Sequence, residues 1–331
     1  MGERGFQEIA NMQWRIETDT AIGHGDGEHA PDTPSSYTST TSISSSILDY
    51  RQLHGRTYQN SKTGEYWAPN DQKQNEGLDL IHNALLMLLD NRLSFIPIDG
   101  CIGPERVLDV GTGTGIWAMD FGDQYPTSKV IGTDLSPIQP SWVPPNVEFI
   151  LDDCTLNWVW PENHFDFIHL RSLYGSIPDW RALYNKVFSH LKPGGWIQSI
   201  EMEIRIKSDH VDFPADHIFN RWADMTYEAG EKMGRTFTIC QGQNIRNHLQ
   251  EIGFVDIVEQ KTKAPLHGWP SDPKLREAGQ LFQIAFDESL NGFGMYLFTQ
   301  VLGWTREEVD VLISEMREES RKKANCHWFE V

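Results

Sequence analysis

The chain has 331 residues, a formal charge of −19 at neutral pH and 39% apolar residues. That length fits one α/β domain with insertions, and the apolar content is ample for a core. The acidic balance argues against a sequence-independent nucleic-acid binder and against docking on an anionic membrane surface, because both draw their affinity from Lys and Arg.

Residues 1–48 read as a disordered leader. The stretch Thr33–Ser46 is dominated by Ser and Thr and has no apolar period, so it cannot offset its ordering entropy by burial. Glu3, Arg4, Glu8 and Arg15 leave no apolar h-region, so no secretory signal is expected. No stretch of the chain approaches the ~20 apolar residues of a membrane span. Cys101, Cys154, Cys240 and Cys326 are far apart, which suits reduced thiols better than a zinc site or a disulfide framework. A soluble protein of the cytoplasm or nucleus is the expectation. A single domain should fill residues 49–331.

Within it, Asn70 or Asp71 can cap a helix whose inward face holds Leu78, Ile81, Leu85 and Leu88. Strands are expected at 106–110, 129–133, 147–151, 165–170 and 196–201. The first is nearly all apolar, as suits a parallel strand covered on both faces. Helices follow Gly115 and Asp179, and Pro137–Pro145 is too proline-rich to be regular. Beyond Arg205, helices are expected at 215–231 and 242–252, then a sixth strand at Phe254–Gln260. Thr305-Arg-Glu-Glu308 is a capping box, and Cys326–Val331 would form a seventh strand. Alternating strands and helices imply right-handed crossovers and a doubly covered sheet. Residues 205–240 and 265–304 read as helical lid insertions.

The chemistry gathers at Asp109-Val-Gly-Thr-Gly-Thr-Gly115. A strand that runs into glycines and then a helix presents backbone N–H groups where a ligand can approach closely. Gly111, Thr112, Gly113 and Gly115 are the candidate contacts. The spacing is G-x-G-x-G, not the G-x-G-x-x-G of dinucleotide sites. Asp109 would repel a pyrophosphate and attract an ammonium. Asp134 ends the second expected strand and can accept both hydroxyls of a ribose, with Leu135 beside it. Asp152 or Asp153, after the third strand, can accept from an adenine amine. An amine, a free ribose and an adenine together describe S-adenosylmethionine. A nicotinamide oxidoreductase is the reading these features disfavour.

The runs Val107–Ala118, Ile131–Asn146, Phe165–Arg171 and Leu191–Trp196 together resemble the fungal LaeA-like class I methyltransferases. Tyr66–Asp71 resembles the Tyr-x-x-Pro-Asn-Asp segment of that family. The resemblance implies a Rossmann-like fold: a seven-stranded, mostly parallel sheet with a reversed last strand and helices on both faces. It also implies S-adenosylmethionine as cofactor and, for a regulatory member, a velvet-type nuclear partner. Cys154 stands where a small residue such as Ala is expected, and Gln198-Ser199 stands in a stretch that is commonly more acidic.

On the acceptor side, His169 at the end of the fourth strand is the candidate base, or a residue that orients the acceptor. The alternative is a histidine held by the core. Arg171 can grip an acidic acceptor or pair with a nearby carboxylate. Tyr58 and Tyr66 can fold over the cofactor, where an aromatic face beside a sulfonium contributes ~0.5–2 kcal/mol, or pack as an ordinary lid. Trp222, Trp269 and Trp304, with Phe282, Phe286, Phe293 and Phe298, crowd the insertions. They suit the roof of a pocket for a small organic molecule, or the insertions' own core. His210, His217, His248 and His267 show no metal-ligand spacing, and no metal is expected. The functional reading is O- or N-methylation in secondary metabolism. The alternative is a regulator that binds the cofactor and acts through protein partners.

Overall fold

The structure, a computed structural model, describes residues 50–60, 66–98 and 103–331. The expected leader at 1–48 and Cys101 lie outside the described residues.

An N-terminal hairpin, β1 (Arg51–Leu53) and β2 (Arg56–Tyr58), precedes the main body. The central sheet is built from β3 (Arg106–Val110), β4 (Lys129–Asp134), β5 (Val147–Leu151), β6 (Phe165–Arg171) and β7 (Leu191–Ile200). Their order is β5-β4-β3-β6-β7, and all four pairings are parallel. Val107, Leu108 and Val110 are fully buried, as are Phe165, Phe167, Ile168 and Leu170. Burial on both faces explains why these strands are mostly apolar. The chain winds outward from β3 to β5 and then returns to β6 on the other side. The strand order therefore reverses between β3 and β6, where open α/β sheets bind ligands.

Helix α1 (Gln72–Leu88) is capped by Asp71, which accepts from Gln74 N at 3.0 Å. Helix α2 (Ile116–Gln124) springs from Gly115. Helix α3 (Trp180–His190) is capped by Asp179, accepting from Ala182 N at 2.9 Å. The insertions supply α4 (Ile218–Met233) and α6 (Pro273–Tyr296), each followed by a further helix, α5 (Asn244–Ile252) and α7 (Arg306–Ser320). The Thr305–Glu308 capping box forms as expected and opens α7. Trp117, Phe121, Val130, Val147 and Phe167 make one core cluster beneath α2. A larger cluster joins the sheet's other face to α1, α3 and the insertion helices.

The strand count differs from expectation. The central sheet has five strands, not seven. Phe254–Gln260 is not a strand, and its Val255 and Val258 are 79% and 90% exposed. The tail does form a strand, β10 (His327–Glu330), but outside the main sheet. It pairs antiparallel with β8 (Lys207–Ser208) on one side and β9 (Lys263–Pro265) on the other. The insertions capture it. His327 and Trp328 are buried among insertion residues, and Trp269 Nε1 donates to the His327 carbonyl at 2.7 Å. Glu203 N likewise donates to the Glu330 carbonyl at 2.8 Å. Among the described residues, no helix is long and apolar enough to cross a membrane.

Candidate active site

The glycine loop leaves β3 at the reversal point of the sheet. Gly111 and Gly115 have φ of +68° and +81°, which L side chains rarely adopt. Crowding adds a second constraint. A Cβ on Gly115 would stand 2.3 Å from the Phe149 ring, and one on Gly111 would stand 2.4 Å from Leu173. Gly113 is different: a Cβ there would meet nothing closer than Leu78 at 3.9 Å. The middle of the loop is its open face.

Asp134 binds that face. Its Oδ2 accepts from Gly113 N at 2.8 Å and its Oδ1 from Ser136 N at 2.9 Å. Burial pushes its carboxyl up to about 6, against the pull of these two amides, and the nearby Asp109 charge adds to the rise. Leu135 next to it is half-buried. Thr112 N donates to the Thr133 carbonyl at 2.8 Å, tying the loop to the end of β4.

Asp109 lies beneath the loop and is 3% exposed. Its Oδ2 accepts from the Thr112 hydroxyl at 2.6 Å, and its Oδ1 lies 2.8 Å from His169 Nδ1. His169 is 1% exposed and stacks on Trp117 at 3.7 Å between ring centres. Its Nε2 is buried without a hydrogen-bond partner. Burial favours the neutral imidazole, although Asp109 opposes it.

After β5, Asp153 Oδ1 accepts from Thr155 N and the Thr155 hydroxyl at 2.9 and 2.6 Å. Asp152 is raised chiefly by burial, and its backbone N–H donates to the Asp134 carbonyl at 3.0 Å. Lys186 from α3 holds this loop by donating to the carbonyls of Cys154, Thr155 and Leu156 at 3.0, 2.5 and 2.7 Å. Burial pushes the Cys154 thiol up to about 12, so it is no nucleophile at neutral pH.

The N-terminal segment closes over the end of β4. The Ser136 hydroxyl donates to Gln59 Oε1 at 3.0 Å, and Asn70 Nδ2 reaches Ser136 Oγ at 3.4 Å. Tyr66 and Tyr50 both feel the Asp134 charge, and burial raises each phenol. Tyr58 is placed differently. It is 1% exposed, packs against Tyr296 at 5.6 Å and has a buried hydroxyl with no partner. Two of the expected tyrosines are thus separated: Tyr66 lies beside the ribose candidate and Tyr58 in the core.

Arg171 donates to His82 Nδ1 at 3.0 Å, and His82 Nε2 lies 2.9 Å from Asp120. Asp79 on α1 accepts from the Thr114 hydroxyl at 2.6 Å. These contacts lock α1 to the loop and to β6. At the end of β7, Gln198 and Ser199 are structural. Gln198 Oε1 accepts from Phe95 N at 2.8 Å, and the Ser199 hydroxyl lies 3.0 Å from Tyr184 OH. The acidic residues come slightly later. Glu201 accepts from Leu173 N and Tyr174 N, each at 3.0 Å, and burial pushes its carboxyl up to about 8.

Beyond Tyr174 and Glu203 lies a cavity with about 780 Å³ of empty space, its mouth included. Its wall is mostly aromatic and aliphatic, with Trp67, Trp222, Phe282, Phe286 and Phe293 among the large rings. Of the insertion aromatics, Trp222, Phe282, Phe286 and Phe293 line this cavity, whereas Phe298 is wholly buried.

The methyltransferase-domain family model matches residues 67–260. Methyltransferase pytC of Aspergillus terreus is 42% identical over 285 residues, with 86% of each chain covered. Secondary metabolism regulator LAE1 of Cochliobolus heterostrophus is 34% identical, covering 76% of this chain and 82% of the relative. Protein-methionine methyltransferase laeA of Emericella nidulans is 30% identical, covering 83% and 72%. The chain belongs to the fungal LaeA-like class I methyltransferases. S-adenosylmethionine is its methyl donor. Among solved structures, phosphoethanolamine N-methyltransferase 2 of Haemonchus contortus aligns with a TM-score of 0.43 at 17% identity, covering 75% of this chain and 51% of that one.

Within this methyltransferase, sequence reasoning missed Gln59, Asn70 and Ser136, which clasp the end of β4, and Glu201 and Glu203 after β7. The Pro-Asn-Asp segment signalled a cap, but nothing local shows that Asn70 meets Ser136, 66 positions away. Glu201 had a signal in reach: it is the acidic residue that ends the strand expected at 196–201.

Proposed function

We propose that this methyltransferase acts on oxygen or nitrogen of a small, largely apolar molecule of fungal secondary metabolism, seated in the cavity beyond β6 and β7. One observation carries this reading. The cavity opens among residues that follow the carboxyl ends of these strands, and its roof comes from the insertion helices.

Asp134 accepts from the ribose hydroxyls, Asp152 or Asp153 from the adenine amine, and Gly111, Thr112, Gly113 and Gly115 shape the loop against the ligand. Asp109 has both oxygens engaged, so it acts on the methionine ammonium through its charge. Tyr66 covers the cofactor. Tyr58 supports that cover from the core. Cys154 packs beside the adenine. Of the two roles the sequence allows His169, its contacts with Asp109 and Trp117 support a positioning one. Bound S-adenosylmethionine supplies an already activated methyl group, so the protein's work is alignment and exclusion of water.

A second reading is favoured by the relatives named as secondary metabolism regulators. In it, the chain works in the nucleus with a velvet-type partner; in the first, a cytoplasmic location serves equally. One experiment separates them. The full chain, incubated with methyl-labelled S-adenosylmethionine and an organic extract of producing cells, should place label in an extractable, low-mass product. Label confined to protein would overturn the small-molecule reading.

A further inference from the structure

Among the described residues, the cavity wall carries a single charged side chain, Glu203, which is 7% exposed. Its hydrogen bonds are one-sided. Tyr227 OH, Gln241 Nε2 and Arg205 N all donate to Oε1, the last two at 3.2 Å each. Oε2 accepts from none of the described residues. The Arg205 guanidinium donates to Asn220 and Asp224 instead. Tyr227 is held protonated, raised by burial and then by Glu203 itself, so it remains a donor. The wall's Thr226 hydroxyl is spent on the Trp222 carbonyl at 2.8 Å. A buried carboxylate with one satisfied and one open oxygen is costly unless something donates to it.

We infer that Glu203 Oε2 is the acceptor-recognition and proton-accepting group of this cavity, and that the acceptor is a ring-bearing apolar molecule whose hydroxyl donates to it. This rests on the small-molecule reading of the cavity. The three donors on Oε1 fix the carboxylate so that the open oxygen is offered to the ligand. The aromatic wall holds the rings, and the charge selects the molecule that brings a donor. In the transfer, the acceptor oxygen forms the new bond to the methyl carbon as the sulfur–methyl bond breaks. The bonding pair stays on sulfur, which becomes a neutral thioether, and the hydroxyl proton passes to Glu203. A thioether acceptor has no proton to lose and would leave Glu203 without a task.

The test uses the full chain saturated with S-adenosylhomocysteine and three probes: β-naphthol, β-methoxynaphthalene and naphthalene. Binding is read from quenching of the fluorescence of Trp67 and Trp222. β-Naphthol should bind roughly tenfold more tightly than the other two, as expected for a hydrogen bond to a charged group. Glu203→Gln should erase that preference and leave naphthalene binding unchanged, whereas Thr226→Val should keep it. Equal binding of the three probes to the wild type, or a preference that survives in Glu203→Gln, overturns the role of Glu203 alone. Failure of all three to bind overturns the small-molecule reading with it. The wild-type comparison decides the matter even if Glu203→Gln does not fold.

Discussion

Cofactor affinity should depend on pH through Asp134. Burial raises its carboxyl from the ordinary 3.8 to about 6, despite the amides of Ser136 and Gly113. A rise of roughly two units means that ionising Asp134 costs the ligand-free fold about 3 kcal/mol. This group's contribution to stability is fully present below 3.8 and lost as pH rises through about 6. In the role proposed for Asp134, cofactor binding has the opposite sign, because ribose hydroxyls would donate to the ionised form. At about pH 5 roughly a tenth of Asp134 is ionised, and at about pH 7.5 nearly all of it is. Affinity for S-adenosylmethionine, measured by calorimetry, should therefore rise roughly tenfold from about pH 5 to about pH 7.5. Asp152, also raised by burial, pushes in the same direction. Asp134→Ala should abolish binding. Wild-type affinity that changes less than about twofold across this range, or an Ala variant that still binds normally, refutes the assignment.

Other outcomes follow from the same contacts. His169→Ala opens a gap beside Trp117 and strips Asp109 Oδ1 of its partner, so denaturant unfolding should show a loss of about 2–4 kcal/mol. S-adenosylmethionine affinity should stay near normal in that variant, and unchanged stability would contradict the buried placement. Gly115→Ala combines a left-handed backbone with a ring in the way, costing about 1–2 kcal/mol for the backbone and about 1–3 for overpacking. A wild-type melting temperature with intact cofactor binding would disprove the loop geometry. Glu201, raised from 4.5 to about 8 by burial, stabilises the fold most below 4.5, and that contribution is lost as pH rises through about 8. The stability difference between wild type and Glu201→Gln should therefore shift against the wild type from pH 5 to pH 8; a constant difference would show that Glu201 titrates normally.

Much of this protein was legible before any tertiary contact was known. The strands at 106–110 and 147–151 coincide with expectation, and those near 129 and 165 extend one residue further. They are local facts: a strand covered on both faces must be apolar throughout, and a sharp turn into a helix needs glycine. That the loop and the carboxylates ending successive strands would lie along one edge was legible for the same reason, since these strand ends meet wherever a parallel sheet forms. Tertiary structure alone decided the rest. The tail at 327–330 has the pattern of a strand, yet its partners are chosen by insertions that lie 62 or more positions earlier in the chain. Tyr58 and Tyr66 look alike in sequence, and only packing sends one to the core and the other to Asp134. Asp109 reads as a free carboxylate until Thr112 and His169 are seen to occupy it. Glu203 shows no motif at all. Its open oxygen exists because Tyr227, Gln241 and Arg205 converge on the other one, and such long-range satisfaction of a buried charge leaves no periodic trace in sequence.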